Sequence, residues 1–232
     1  MRLVRFEDPN ALYDRAAAQI ERLCAAAVRE RSAFHLALSG GRTPHPVYCR
    51  LASSSALDWG RVHIYWSDER CVPPTDDRSN YRAAFEALLR QVSIPTGNVH
   101  RIVGEAVPVD AADVYEVVLH DRLGPEGRLD LILLGIGADG HTASLFPRDQ
   151  ALAESDRWVV PVHTSARPPW RVTMTLRLIN AARNVLFLAT GSEKAEAVRS
   201  VIAGKPLPAA LVNPADGRVT LFADSEAASL LP

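Results

Sequence analysis

Leu131-Ile132-Leu133-Leu134-Gly135-Ile136-Gly137-Ala138-Asp139-Gly140-His141-Thr142-Ala143-Ser144 runs from unbroken apolar side chains into three glycines, an acid and a histidine. A strand buried on both faces carries such a continuous apolar run, as the strands of parallel sheets do. Glycines directly after it let the backbone turn sharply at the strand's carboxyl end, where open α/β sheets bind ligands. An imidazole delivered to that edge is a candidate acid–base group near neutral pH.

The rest of the chain supports this reading. Leu12, Ala16, Ile20, Leu23 and Ala27 recur at helical spacing within Pro9 to Arg31. Phe34 to Leu38 predicts a short strand that ends at Ser39-Gly40-Gly41, with Thr43 as a helix N-cap and Pro44 in the first turn. A strand, a glycine turn and a helix N-terminus aim free N–H groups at one point, a geometry suited to phosphate. Val62 to Trp66 predicts another strand, running straight into Ser67-Asp68-Glu69-Arg70, which is either a solvated turn or the wall of a site. Helices are expected from Ser79 through Arg90 and from Ala111 to Arg122. Strands are expected at Arg171 to Leu176, Val185 to Ala189 and Val219 to Ala223, the last closing the sheet before a short terminal helix. Thr190-Gly191-Ser192-Glu193-Lys194 turns into a helix near Ala195 to Ile202, which puts Lys194 in a first turn. The helix dipole disfavours a cation there, and a nearby anion would account for it.

Four strand ends thus carry a glycine–threonine turn, Asp68-Glu69-Arg70, Asp139-Gly140-His141 and Gly191-Ser192-Glu193-Lys194. In a parallel sheet they face one edge, where phosphate donors, two basic side chains and a histidine meet. Only Lys194 and Lys205 are lysines among 26 basic residues, so a lysine held at this edge is notable.

Other motifs fail. Gly135-Ile136-Gly137-Ala138-Asp139-Gly140 matches GxGxxG, yet Pro147 follows too soon for the helix a dinucleotide needs, and Asp139 intrudes where pyrophosphate would sit. Neither Ser39 nor Ser144 lies in a GxSxG elbow, and no HExxH or cysteine cluster supplies metal ligands. A net charge of −1 carries no global basic field for nucleic acid or anionic membrane. Three scattered cysteines, no apolar leader and no apolar span of membrane length give the expectation of a cytoplasmic protein, one α/β domain over residues 1–232.

Ser39-Gly40-Gly41-Arg42-Thr43-Pro44, Ser67-Asp68-Glu69-Arg70 with Ser79-Asn80-Tyr81, Gly135 through Pro147, Arg171-Val172-Thr173 and Gly191-Ser192-Glu193-Lys194-Ala195 together resemble the 6-phosphogluconolactonase family over nearly the whole chain. The wider group includes glucosamine-6-phosphate deaminase, whose Asp-Gly-His segment typically continues Ile-Ala-Phe-Asn-Glu-Pro. Here it reads Thr142-Ala143-Ser144-Leu145-Phe146-Pro147 and lacks the glutamate, which favours the lactonase.

The resemblance implies a Rossmann-like, mostly parallel sheet flanked by helices, of the glucosamine-6-phosphate deaminase or ribose-5-phosphate isomerase kind. It implies hydrolysis of 6-phospho-D-glucono-1,5-lactone to 6-phosphogluconate with no metal, organic cofactor or obligate protein partner. His141 corresponds to the catalytic histidine. Asp139 beside it orients the imidazole, contacts a sugar hydroxyl or stabilises the turn. Arg70, Lys194 and the Gly40-Gly41 turn correspond to the phosphate ligands. Ser39, Arg42, Thr43, Asp68, Gly137 and Arg171 complete the expected substrate-binding set, although a surface ion pair explains Arg171 about as well. The alternatives are a deaminase/isomerase-type enzyme and a non-catalytic phosphosugar sensor.

Overall fold

The computed structural model describes residues 1–232. In chain order the strands are β1 (Arg2–Phe6), β2 (Phe34–Leu38), β3 (Val62–Trp66), β4 (Asp68–Arg70), β5 (Leu131–Gly135), β6 (Val159–His163), β7 (Trp170–Met174), β8 (Asn184–Ala189) and β9 (Arg218–Asp224). The helices are α1 (Pro9–Arg31), α2 (His45–Ala52), α3 (Asn80–Ala87), α4 (Pro108–Leu123), α5 (Leu176–Ile179) and α6 (Ala195–Ile202).

Six parallel strands form the main sheet in the order β1-β9-β8-β5-β2-β3. Leu131 to Leu134 of β5 are at most 1% exposed, as an apolar run covered on both faces must be. The chain leaves β2 outward to β3, then returns to the other side of β2 to lay down β5. Neighbouring strands whose connections diverge in this way open a crevice at their carboxyl ends. The turns after β2 and β5 are the Gly40-Gly41 and Gly137 segments.

The segment β4 departs from the sequence expectation. Asp68-Glu69-Arg70 is neither a solvated turn nor part of the main sheet's edge. It is a strand of a second, antiparallel sheet ordered β4-β7-β6. Ser67 joins the two sheets: its N–H donates to Leu38 O at 2.8 Å, and its carbonyl accepts from Met174 N at 2.8 Å.

Several local expectations also change. Nor does β9 close the main sheet; it lies inside, and β1 forms the edge. Thr43 is not an N-cap: α2 begins at His45, Pro44 precedes it without a side-chain cap bond, and Thr43 Oγ1 instead lies 3.0 Å from Thr190 Oγ1. Leu88, at φ −136°, interrupts the helix expected to reach Arg90. The strand expected to run to Leu176 stops at Met174, and Leu176 opens α5. The last residues form consecutive turns rather than a helix.

Helix α1 follows its periodicity, burying Leu12, Ala16, Ile20, Cys24 and Ala27, and packs on β1, β2 and β9. Asp8 caps it by accepting from Asn10 and Ala11 N–H groups, and Ser32 ends it in the left-handed region at φ 63°. Two buried tyrosines brace strand ends. The Tyr48 hydroxyl accepts from Ser39 N (3.0 Å) and donates to Ser39 O (2.7 Å). Tyr115 does the same at Trp66, at 2.9 and 3.0 Å. Each supplies both hydrogen bonds that a terminating strand residue loses. No helix is long and apolar enough to cross a membrane.

Candidate active site

A cleft of about 530 Å³ opens at the carboxyl edge of the main sheet, between it and the small sheet. Ser39, Gly40, Gly41, Arg42, Thr43, Asp68, Arg70, Gly137, His141, Arg171 and Lys194 all line it. Asp139, the remaining expected residue, is bonded directly to the histidine.

The histidine end is built from a tight loop. Gly137 N donates to His141 O at 2.8 Å, and Gly140, at φ 82°, donates its N–H to Gly137 O at 2.9 Å. This brings His141 Nδ1 to 2.6 Å from Asp139 Oδ1, which also accepts from the His141 amide at 3.1 Å. A Cβ on Gly137 would stand 2.0 Å from Nδ1, so the ring occupies the space that a side chain there would need. Burial raises the Asp139 pKa, but the hydrogen bonds from the His141 amide and ring outweigh it and hold the carboxyl below its ordinary value. An ionised carboxylate only accepts, so Nδ1 donates the hydrogen bond between them, and in the neutral ring the lone pair lies on Nε2. Phe146 packs against the ring at 4.7 Å between centroids.

The opposite end is cationic. Arg70 on β4 and Arg171 on β7 are direct cross-strand partners. Like charges facing each other across a ladder repel, and both Nε atoms are buried without a hydrogen-bond partner. Burial, and then the Arg70 charge, lower the Arg171 pKa from its ordinary value. Arg70 Nη1 donates to Arg78 O, but two half-buried guanidiniums whose Nε groups lack partners leave donors suited to an anion. This pairing removes the surface-ion-pair explanation of Arg171. Arg42, by contrast, is 97% exposed at its side chain and lies 3.7 Å from Glu193, so it sits at the rim.

Glu69 organises this end from behind. Its buried carboxylate accepts from Arg70 N, Asn80 N and Tyr81 N, each at 2.7 Å, and from Ser79 Oγ at 2.9 Å. It thereby staples the start of α3 to the strand carrying Arg70. Burial raises its pKa while these four bonds oppose the rise. Asn80 packs over Gly40, where a Cβ would meet Asn80 Oδ1 at 1.9 Å. Gly40 therefore has no room for a side chain, whereas Gly41 faces open space and needs glycine for its φ of 99°.

Lys194 ends a short 3₁₀ turn (Ser192–Lys194) and is the N-cap residue of α6, one position before the first turn expected to hold it. The loop is held by Asp224, 1% exposed, whose two oxygens accept from Gly191 N at 3.2 and 3.1 Å. Asn80 and Thr190 enter the sequence reading only within quoted motifs, without a site role, and Asp224 does not enter it at all. Asp224 carries the same signal as the others, a polar residue directly after an apolar strand.

Fold and cleft together define a class: an α/β protein with a histidine–carboxylate pair and a cross-strand arginine pair facing each other across the carboxyl edge of a parallel sheet. Residues 7–221 match the family described as glucosamine-6-phosphate isomerases/6-phosphogluconolactonase, and the chain belongs to it. A 6-phosphogluconolactonase from Synechocystis is 41% identical over 85% of this chain and 83% of its own length. "Probable 6-phosphogluconolactonase 2" of Oryza sativa subsp. indica is 37% identical over 97% of this chain and 88% of its own. The crystal structure of 6-phosphogluconolactonase from Thermotoga maritima superposes with a TM-score of 0.88 at 33% identity, covering 96% of this chain and 99% of that one.

Proposed function

We propose that this chain hydrolyses 6-phospho-D-glucono-1,5-lactone to 6-phosphogluconate, in the oxidative branch of the pentose phosphate pathway, with His141 as general base. The observation that carries the reading is the facing pair Arg70 and Arg171 with unpartnered buried Nε atoms, set in one cleft with His141. A sugar phosphate answers both ends. Its phosphate satisfies the arginines, Lys194 and the Gly40-Gly41 turn, while its reacting carbon meets the imidazole.

In this mechanism Nε2 takes a proton from water as the oxygen bonds to C1. Asp139, ionised and 2.6 Å from Nδ1, stabilises the imidazolium that forms. The tetrahedral intermediate then expels the ring oxygen, which receives the same proton, so His141 ends as it began. The phosphate is remote from C1, and its binding energy positions C1 against the water. The same family description also covers isomerases, and ammonia release from glucosamine-6-phosphate separates that chemistry from lactone hydrolysis.

The test uses freshly generated lactone, whose spontaneous opening sets the baseline, with 6-phosphogluconate followed through NADP-linked 6-phosphogluconate dehydrogenase. The expected result is a large acceleration that His141→Ala reduces about 10²- to 10⁴-fold. No acceleration, with 6-phosphogluconate still bound, would leave a phosphosugar sensor or a deaminase/isomerase, and ammonia release from glucosamine-6-phosphate would then separate the two.

A further inference from the structure

Ser144 is completely buried three residues beyond His141, and its polar groups are both engaged outside its own loop. Its Oγ donates to Asp68 Oδ2 at 2.7 Å, and its N–H donates to Thr173 Oγ1 at 3.2 Å. The Thr173 hydroxyl in turn donates to Met174 O at 3.1 Å. Asp68 and Thr173 are themselves cross-strand partners on β4 and β7. Ser144 therefore ties the loop of the main sheet to one rung of the small sheet.

Two residues further along the same two strands stand Arg70 and Arg171, again as partners. Side chains two apart on a strand share a face and lie about 7 Å apart. The rung that holds Ser144 and the rung that carries the arginine pair are thus rigidly spaced. The loop between His141 and Ser144 has little slack. Thr142 Oγ1 donates to Gly135 O at 2.9 Å, Leu145 N donates to Thr142 O at 2.9 Å, and Ala143 is held at φ 48°.

We propose that Ser144 is a positioning residue: its bonds to Asp68 and Thr173 set the span between the catalytic imidazole and the arginine pair, so that a lactone anchored by its phosphate presents C1 to Nε2. The inference rests on the lactonase reading. It also gives Asp68 a place in the latch, since Asn80 Nδ2 donates to its carbonyl at 2.8 Å while Ser144 engages its carboxylate. Loss of the hydroxyl frees the loop to shift relative to the small sheet without altering His141 or the arginine pair themselves.

The experiment compares wild type, Ser144→Ala and Ser144→Thr on 6-phosphogluconolactone and on unphosphorylated D-glucono-1,5-lactone at millimolar concentration, with product inhibition by 6-phosphogluconate. In Ser144→Ala, kcat on the phosphorylated lactone is expected to fall about 10- to 100-fold, the cost of misplacing reacting atoms by about an ångström. The inhibition constant for 6-phosphogluconate and the rate on the unphosphorylated lactone stay within about twofold of wild type, because neither depends on the span. Ser144→Thr, which keeps the hydroxyl, recovers most of the loss. An equal fall on both lactones, weakened product binding with intact kcat, or no fall at all would overturn the latch while leaving the lactonase reading intact. A wild type that accelerates neither lactone would overturn that reading, and the latch with it.

Discussion

Gly137→Ala is the sharpest probe of the histidine–carboxylate pair, because it alters neither member chemically. The new Cβ would lie 2.0 Å from His141 Nδ1, 2.2 Å from Cε1 and 2.7 Å from Asp139 Oδ1. Ordinary contact between such atoms is about 3.4 Å or more, so the ring must retreat by about 1.4 Å. The carboxylate is crowded by the same atom, and the 2.6 Å bond to Nδ1 cannot survive the shift. Gly137 does not have a positive φ, so alanine is tolerated by the backbone and the fold is retained. A displacement of this size costs about 10²-fold in rate, or about 2.7 kcal/mol of activation free energy. The assay is kcat on fresh lactone with circular dichroism as the folding control, and 6-phosphogluconate binding reports on the untouched arginine end. A folded Gly137→Ala enzyme with kcat within about threefold of wild type would refute the reasoning, since the ring position would then be immaterial to turnover.

Arg171→Met is expected to raise KM for the phosphorylated lactone about 10- to 100-fold, the worth of one charge-assisted hydrogen bond, with a smaller effect on kcat. The same variant should unfold at an equal or higher temperature than wild type, because it relieves the like-charge pair and removes an unpartnered Nε; a clear fall in melting temperature would place the arginine in the scaffold instead. Acid should weaken the fold through a cluster remote from the cleft, in which His35 Nδ1 lies 3.0 Å from the Tyr65 hydroxyl and His63 Nδ1 lies 3.1 Å from His100 Nε2. Burial, then the neighbouring His63, pushes His35 and His100 from 6.5 down to about 4. Their folded pKa is depressed, so only the unfolded chain takes up these protons as pH falls below 6.5, and stability is lost progressively until about pH 4. Allowing for water at the ring edges, the loss is on the order of 3 kcal/mol in total by urea unfolding at pH 7.5 against 4.5. Imidazole proton resonances that titrate normally near pH 6.5 for all seven histidines would contradict it.

Much of this protein is decided within short stretches of chain. The run Leu131 to Leu134 reads as a strand covered on both faces, and the glycines after it as a turn. The spacing of Leu12, Ala16, Ile20 and Ala27 makes α1 a helix with one buried stripe. These are properties of residues within a few positions of one another, where periodicity and backbone freedom act, and they locate His141, the Gly40-Gly41 turn and Lys194 at one edge. The tertiary structure decided what depends on pairing across long separations. β1 is a half-exposed edge strand whose partner β9 lies at the far end of the chain, so its short pattern carries little signal. Asp68-Glu69-Arg70 looks like a charged turn until β7 comes alongside it and turns Arg70 and Arg171 into neighbours. Ser144 is unremarkable until its hydroxyl meets Asp68. Local chemistry chose the groups; hydrogen-bonded register between distant segments set the distances at which they act.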